Sequence, residues 1–230
     1  MRLKAFIIMF NRLTLPKKMA EFLSDNGCEV VMIDNNSTYA PLLEWYSKCP
    51  YKVYRLKENL GHKCLYTSGI LDDHKDRYYY LTDHDLDLSE VPSDFQEVLM
   101  KGFQNPEIIK SGLSLKIDDL PNNSYANIAR EWETKYWERP QDSNGFYRSE
   151  VDTTFALYDR EREYSGFPET DDFFRAVRSP YPYTARHIPW YNTPENITEE
   201  EMYYIKSTGT YWLGHFKEIY NINGNEKDRL

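Results

Sequence analysis

Three carboxylates stand at alternate positions in the segment YYYLTDHDLDL, residues 78–88: Asp83, Asp85 and Asp87. The apolar, aromatic run before them, residues 78–82, is short and free of Gly and Pro, and predicts a buried strand. Three acids at the end of a strand repel one another unless a positive charge sits among them. Hard divalent cations such as Mg²⁺ or Mn²⁺ prefer oxygen ligands, and commonly take one or two carboxylates together with substrate phosphates. An Asp-x-Asp in this position is therefore suited to holding a metal–diphosphate. The competing reading is a solvated acidic turn that only ends the strand. The neighbouring elements decide between the two.

Those elements alternate through the first half of the chain. Strands are expected over residues 4–10, 29–33, 51–56, 78–82 and 108–117, with helices over 15–26, 40–48, 65–73 and 92–103. The first helix is introduced by Thr14 and Pro16 and stopped by Gly27. Strands separated by helices imply a mostly parallel sheet with helices on both faces. In such sheets, ligands bind outside the carboxyl ends of the strands. The loops there are all polar: Asn11-Arg12, then Asp34-Asn35-Asn36-Ser37, then Glu58-Asn59-Leu60-Gly61-His62-Lys63, then the acids at 83–87. Each has an ordinary explanation in turn chemistry. Their joint position along one edge suits a nucleotide. No Gly-rich phosphate fingerprint follows the first strand, which counts against a dinucleotide or P-loop enzyme.

Composition narrows the class. A chain of 230 residues can bury a sizeable core as one large domain or two fused halves. The net charge of −9 argues against a nucleic-acid surface, which needs a basic patch. It leaves room for a phosphorylated donor, because a metal and local Lys or Arg can neutralise phosphate. Cys28, Cys49 and Cys64 are odd in number and lack metal-type spacing, so they predict free thiols in a reducing compartment. Six apolar residues before Asn11 are too few for a signal segment or a membrane span. A cytoplasmic protein is expected, free in solution or peripheral at a membrane, with no transmembrane segment. The 20 Tyr, 11 Phe and 5 Trp suit a Tyr-rich core, and equally a sugar-binding cleft.

The second half reads differently. Helical spacing spans 124–136 and carries Trp132, with Trp137 just beyond. VDTTFALY, residues 151–158, predicts a strand starting at an acid, Asp152. Residues 166–177 open with a Gly-Phe-Pro turn and contain Glu169, Asp171 and Asp172. TARHIPWY, residues 184–191, brings Arg186, His187, Trp190 and Tyr191 together, and a further helix is expected over 199–205.

Taken together, FIIMFNR at 6–12, VMIDNNST at 31–38, ENLGHK at 58–63 and YYLTDHDLDL at 79–88 resemble the nucleotide-sugar glycosyltransferases of the GT-A fold, family 2 most of all. The likeness spans residues 4–115 and is looser afterwards, where VDTTFALY and TARHIPWY resemble segments of some bacterial and viral members. It implies a Rossmann-like α/β fold in a single domain, with a nucleotide half at 1–115 fused to an acceptor half at 116–230. It also implies a metal-dependent, inverting transfer of a sugar from a nucleoside-diphosphate sugar, a UDP-sugar favoured, to a hydroxyl of a glycan or similar acceptor.

Carried over onto these residues, the resemblance implies that Phe10, Asn11 and Arg12 frame the nucleotide, with Asp34 accepting a hydrogen bond from the base beside Asn35. Asn59, Gly61 and His62 line the same cleft. The Asp-x-Asp binds ribose and metal–diphosphate, with Mn²⁺ or Mg²⁺ as cofactor. Both Asp83-His84-Asp85 and Asp85-Leu86-Asp87 fit; the first is preferred because Asp83 directly follows the strand, and Asp85 belongs to both. His187 is the candidate third ligand, against the reading of a hydrogen-bonded structural histidine. The general base of an inverting transfer is expected from the second half: Asp152 first, with Asp171 and Asp172 as rivals in the segment PETDDFFRAVR. Each also has a structural reading, Asp152 as an acid at a strand start and the others as acids favoured by a helix N-terminus. Trp132, Trp137 and Trp190 are candidates to stack on the acceptor, although Trp at helical spacing also fills cores. Two other classes fit the same sheet: a nucleotidyltransferase, which wants a Gly- and Lys/Arg-rich first loop that is missing here, and a noncatalytic nucleotide- or sugar-binding module.

Overall fold

A computed structural model describes residues 2–152, 154–162, 175–208 and 211–220. Its centre is the pair of apolar strands β1 (Lys4–Met9) and β2 (Glu29–Asp34), joined by helix α1 (Thr14–Asp25). Successive β1 side chains point to opposite faces. Ala5, Ile7 and Met9 pack with Met19, Ala20 and Leu23 of α1, while Phe6 and Ile8 pack with Cys64 and Leu65 on the other side. Both faces are covered, which is why these strands read as continuous hydrophobic runs instead of alternating ones.

Helix α2 (Ala40–Tyr46) leads to β3 (Lys52–Arg55). The stretch expected to be one helix over 65–73 is broken: a 3₁₀ turn, a one-turn helix α3 (Cys64–Thr67) and a second 3₁₀ turn at Ile70–Asp73. Gly69, in the left-handed region at φ 77°, separates the last two. Next comes β4 (Tyr78–Thr82), on the residues expected, and then a two-residue strand β5 (Leu86–Asp87). After helix α4 (Phe95–Lys101), the single strand expected over 108–117 is in fact two, β6 (Lys110–Gly112) and β7 (Ser114–Leu115), which enter different sheets.

Helix α5 (Ser124–Trp137), capped by Asn123 Oδ1 accepting from the Ala126 N–H at 2.8 Å, is followed by β8 (Tyr147–Arg148), β9 (Ala156–Asp159), β10 (Ala176–Arg178) and β11 (Thr184–His187). Helices α6 (Glu199–Ser207) and α7 (Tyr211–Ile219) complete the described chain. The main sheet runs β3-β2-β1-β4-β9-β6-β10-β8, and a small one runs β5-β11-β7. Pairs from β3 to β4 are parallel, as is β6 with β10; β9 enters antiparallel to both β4 and β6. The sheet is a mostly parallel α/β sheet with one inserted reversed strand, β9, and a second, β8, antiparallel to β10 at its edge. Stacked rings of Tyr79 on Tyr158 and Tyr80 on Phe155 fix β9 in place. Gly112 allows the close approach of β6 to the chain leading into β9, since a Cβ there would lie 2.7 Å from Val151 Cγ1. No helix among the described residues is long and apolar enough to cross a membrane.

Candidate active site

At the carboxyl edge of the sheet, polar side chains staple one loop to the next. Asn11, buried and in the left-handed region at φ 48°, accepts at Oδ1 from the Thr38 and Tyr39 N–H groups at 2.7 and 3.0 Å. Its own N–H donates to Ser37 Oγ at 2.9 Å, so the first loop holds the second. Asn35 holds the third loop in turn, donating to the Gly61 carbonyl at 2.9 Å and accepting from the Leu60 N–H at 3.1 Å. Asn59 Oδ1 accepts from the Gly61 N–H at 2.8 Å and closes that loop.

Arg12 connects the first loop to the fourth. Its guanidinium grips Glu201 of α6 through Nε at 2.7 Å and Nη2 at 2.5 Å, the two-pronged geometry that a planar fork provides. The remaining nitrogen, Nη1, lies 3.0 Å from His84 Nε2 and 3.3 Å from Asp85 Oδ2, and the Tyr204 ring stacks 3.5 Å away. This arrangement defines the His84 tautomer. Nδ1 sits 2.8 Å from the Ile8 carbonyl, which can only accept, so Nδ1 carries the proton and Nε2 accepts from Arg12. Burial first, and then the Arg12 charge, push the ring down to about 4. His84 is neutral at pH 7 and braces Arg12 from behind.

Asp83 and Asp85, on either side of the buried His84, line with it a cleft of about 960 Å³. Asp87 is absent from the cleft wall; its Oδ1 accepts from the Ser89 N–H at 2.9 Å. The first Asp-x-Asp therefore faces the cleft. Strand β11 brings His187 there by pairing it with Leu86, while the Ile188 N–H donates to the Asp85 carbonyl at 3.0 Å. His187 Nε2 ends 3.5 Å from Asp85 Oδ2. Burial would push the Asp85 carboxyl up, but His187 and Arg12 outweigh it and hold it well below the usual carboxylate range.

The cleft wall gathers Phe10, Arg12, Asn35, Asn59, Gly61, His62, Asp83, Asp85, Asp152, Trp132, Trp190 and His187, all named from the sequence. Three expected members lie outside it. Asn11 is spent on the loop bonds above. Asp34 is fully buried, accepting from the Ser37 N–H at 3.2 Å with Arg55 Nε 3.5 Å from its other oxygen. Trp137 donates to the Leu115 carbonyl at 3.0 Å and packs on Tyr147 instead of facing a ligand. Asp152 is exposed but does not begin a strand: β9 starts at Ala156. Asp171 and Asp172 lie outside the described residues.

Sequence reasoning missed Glu133, Arg178 and Tyr204, which also line the cleft. Glu133 had a signal. The buried face of α5 is Tyr125, Ala126, Ala129, Glu133 and Tyr136, and an acid in phase with that stripe is out of place unless it is used. Arg178 Nη1 donates to Glu133 Oε1, and Arg178 Nε donates to the Glu150 carbonyl at 2.6 Å.

The donors can be tested for a divalent ion. Among the described residues no three His, Cys, Asp or Glu side chains converge on one point. Asp85 Oδ2 and His187 Nε2, 3.5 Å apart on one wall of the cleft, are close enough to share an ion. Two protein ligands completed by phosphate oxygens and water is the usual arrangement for Mg²⁺ in phosphate chemistry. The residues fit an ion that arrives with a diphosphate.

No protein-family model matches the chain, and no curated protein is similar to it in sequence. Solved structures are similar in fold. S. aureus TarS (residues 1–349) matches over 100% of this chain and 76% of its own, with a TM-score of 0.50 at 14% identity. GalNAc-T7, solved with UDP, GalNAc and Mn²⁺, matches over 96% of this chain with a TM-score of 0.51 at 13% identity, and this chain spans 48% of it. Both are GT-A glycosyltransferases, and the chain has the GT-A fold.

Proposed function

We propose that the protein is a nucleotide-sugar glycosyltransferase that binds a UDP-sugar in the carboxyl-edge cleft and transfers the sugar to a hydroxyl acceptor. One observation carries this reading: Asp83 and Asp85 from the end of β4 and His187 from β11 face one cleft, bordered by the stapled loops of a GT-A sheet. GalNAc-T7, of similar fold, holds UDP, GalNAc and Mn²⁺, which supports the same ligand class here. In this reading residues 1–115 supply the nucleotide side and 116–230 the acceptor side.

Phe10, Asn35, Asn59, Gly61 and His62 border the nucleoside, and Asp83 receives the ribose hydroxyls. Asp85 and His187 would hold Mn²⁺ or Mg²⁺, which would supply Lewis-acid stabilisation of the charge on the leaving diphosphate. Arg12, braced by neutral His84, fixes the Asp85 carboxylate and keeps it ionised. Asp152, an exposed carboxylate on the second-half side of the cleft, takes the proton from the acceptor hydroxyl as that oxygen attacks the anomeric carbon. One attack by one base, without a glycosyl-enzyme, inverts the anomer. Trp132, half exposed at the rim, and Trp190 deeper in the wall offer faces for the acceptor.

Calorimetry with UDP and Mn²⁺ tests the donor site. Wild type is expected to bind UDP more tightly with the ion than without it, and Asp85→Asn to lose that difference while keeping its melting transition. A variant that binds UDP and Mn²⁺ like wild type contradicts the assignment. Asp152→Asn should keep donor binding and slow transfer by about 10²- to 10⁴-fold, the usual contribution of a general base. Full activity in that variant, with loss on the same change at Asp171 or Asp172, moves the base there.

A further inference from the structure

We propose that the buried Glu133–Arg178 pair recognises the hydroxyls of the transferred sugar and so sets which nucleotide sugar is used. The inference rests on the reading of the cleft as a nucleotide-sugar site and names what selects within it.

The pair is placed oddly for a structural role. Glu133 is 2% exposed and Arg178 5%, and both border the cleft. A buried ion pair adds little stability over well-packed apolar residues of the same volume. On the buried face of α5 the other positions are Tyr and Ala, so an apolar residue at 133 would continue the stripe. The guanidinium is firmly held: it stacks 4.0 Å over Tyr136, donates from Nε to the Glu150 carbonyl and from Nη1 to Glu133 Oε1. Among the described residues the carboxylate accepts a hydrogen bond at that oxygen alone, although an ionised carboxyl can accept about four. Sugar hydroxyls are donors of the right kind for the remainder.

Position selects the donor sugar as the occupant. His187, 3.5 Å from Asp85, immediately precedes the turn Ile188–Tyr191, and helix α5, which carries Glu133, packs against that turn. A sugar joined to a diphosphate held at Asp85 and His187 is tethered within one ring of that point. Burial is the larger influence and raises the Glu133 carboxyl above its ordinary range while Arg178 opposes it; the guanidinium at Oε1 can only donate, so that oxygen accepts. A site that requires a hydroxyl rejects analogues that lack or misplace it far more strongly than an apolar pocket can, because its own polar groups are left unpaired.

The test separates sugar from nucleotide. Calorimetry with Mn²⁺ would compare UDP with UDP-glucose, UDP-galactose, UDP-GlcNAc and UDP-GalNAc on wild type, Glu133→Gln, and the paired variant Glu133→Gln/Arg178→Gln, which leaves no buried charge unpaired. The expected result is UDP affinity unchanged within about twofold. The preferred UDP-sugar should weaken by about 10- to 100-fold, the range for hydrogen bonds to charged groups, with discrimination among the four reduced. Equal loss for UDP and UDP-sugar, unaltered sugar preference, or failure of both variants to fold would assign the pair a structural role and overturn the proposal. If wild type binds neither UDP nor any UDP-sugar, the nucleotide-sugar reading itself fails, and this inference with it.

Discussion

Arg12 is the residue on which the acidic site depends. It is 3% exposed in its side chain, and its guanidinium satisfies Glu201, His84 and Asp85 together. Removing one member of such a buried ion pair strands the other, at a cost of about 3–5 kcal/mol. Arg12→Ala should lower the unfolding free energy read from urea titration by that order, whereas Arg12→Lys should cost less stability but still loosen Asp85, because an ammonium cannot fork. The same variants should weaken Mn²⁺–UDP binding in calorimetry. A second residue-scale test concerns the thiols. Burial pushes Cys28 and Cys64 up to about 12. At pH 8 their thiolate fraction is then about 1 in 10⁴, and thiolate is the reactive form. The folded protein should show at most Cys49 reacting with a thiol reagent, and all three cysteines should react in denaturant. The sign for stability follows. A pKa raised on folding means the native state holds its proton more tightly, so this contribution is complete below about pH 9 and is lost as pH climbs toward 12. Unfolding free energy that rose over that interval would contradict the burial of these thiols.

Helix α6 shows how an element, more than any one residue, shapes the site. Its start is written in the sequence as Thr-Glu-Glu-Glu: Thr198 Oγ1 accepts from the Glu201 N–H at 3.1 Å, and the acids favour the positive end of the helix. The same acids reach across to the first loop. Glu200 accepts from the Thr14 N–H at 3.0 Å, capping α1, while Glu201 grips Arg12. Local chemistry therefore predicts the helix, but no spacing rule links residue 201 to residue 12, and that long-range contact was not legible. The element at 108–117 failed for a related reason. Its apolar run is long enough for one strand, yet Gly112 and Leu113 mark the point where the chain leaves one sheet for another. Asp152 likewise read as a strand start because VDTTFALY has strand propensity throughout, while pairing with β4 and β6 begins only at Ala156. Gly112→Ala tests this junction. The new methyl would press on Val151, one residue from Asp152, and overpacking of this kind costs about 1–3 kcal/mol. A lower melting temperature is expected, together with slower transfer; unchanged stability would mean that β6 and the 151–155 segment separate more easily than their packing implies.

At the scale of the whole molecule, the alternation of strands and helices, the carboxyl-edge rule and the order of polar loops made the sheet and the acidic edge readable before any coordinates. Asp83, Asp85, Asn35, Asn59 and His187 do meet in one cleft, since each follows or ends a strand and the sheet brings those ends together. The opposite wall was less readable. Trp137 and Glu133 sit four residues apart on one helix, and aromatic character drew attention to the residue that packs instead of the one that faces the cleft. The central claim is that this cleft cleaves the bond between a sugar and a nucleoside diphosphate. The most direct measurement is release of free UDP from each of a panel of UDP-sugars with Mn²⁺ present, wild type beside Asp85→Asn. The account predicts UDP release from at least one sugar by wild type and none above background by the variant. Pyrophosphate release from a nucleoside triphosphate and sugar phosphate, with no UDP from any sugar, would contradict it and make the protein a nucleotidyltransferase.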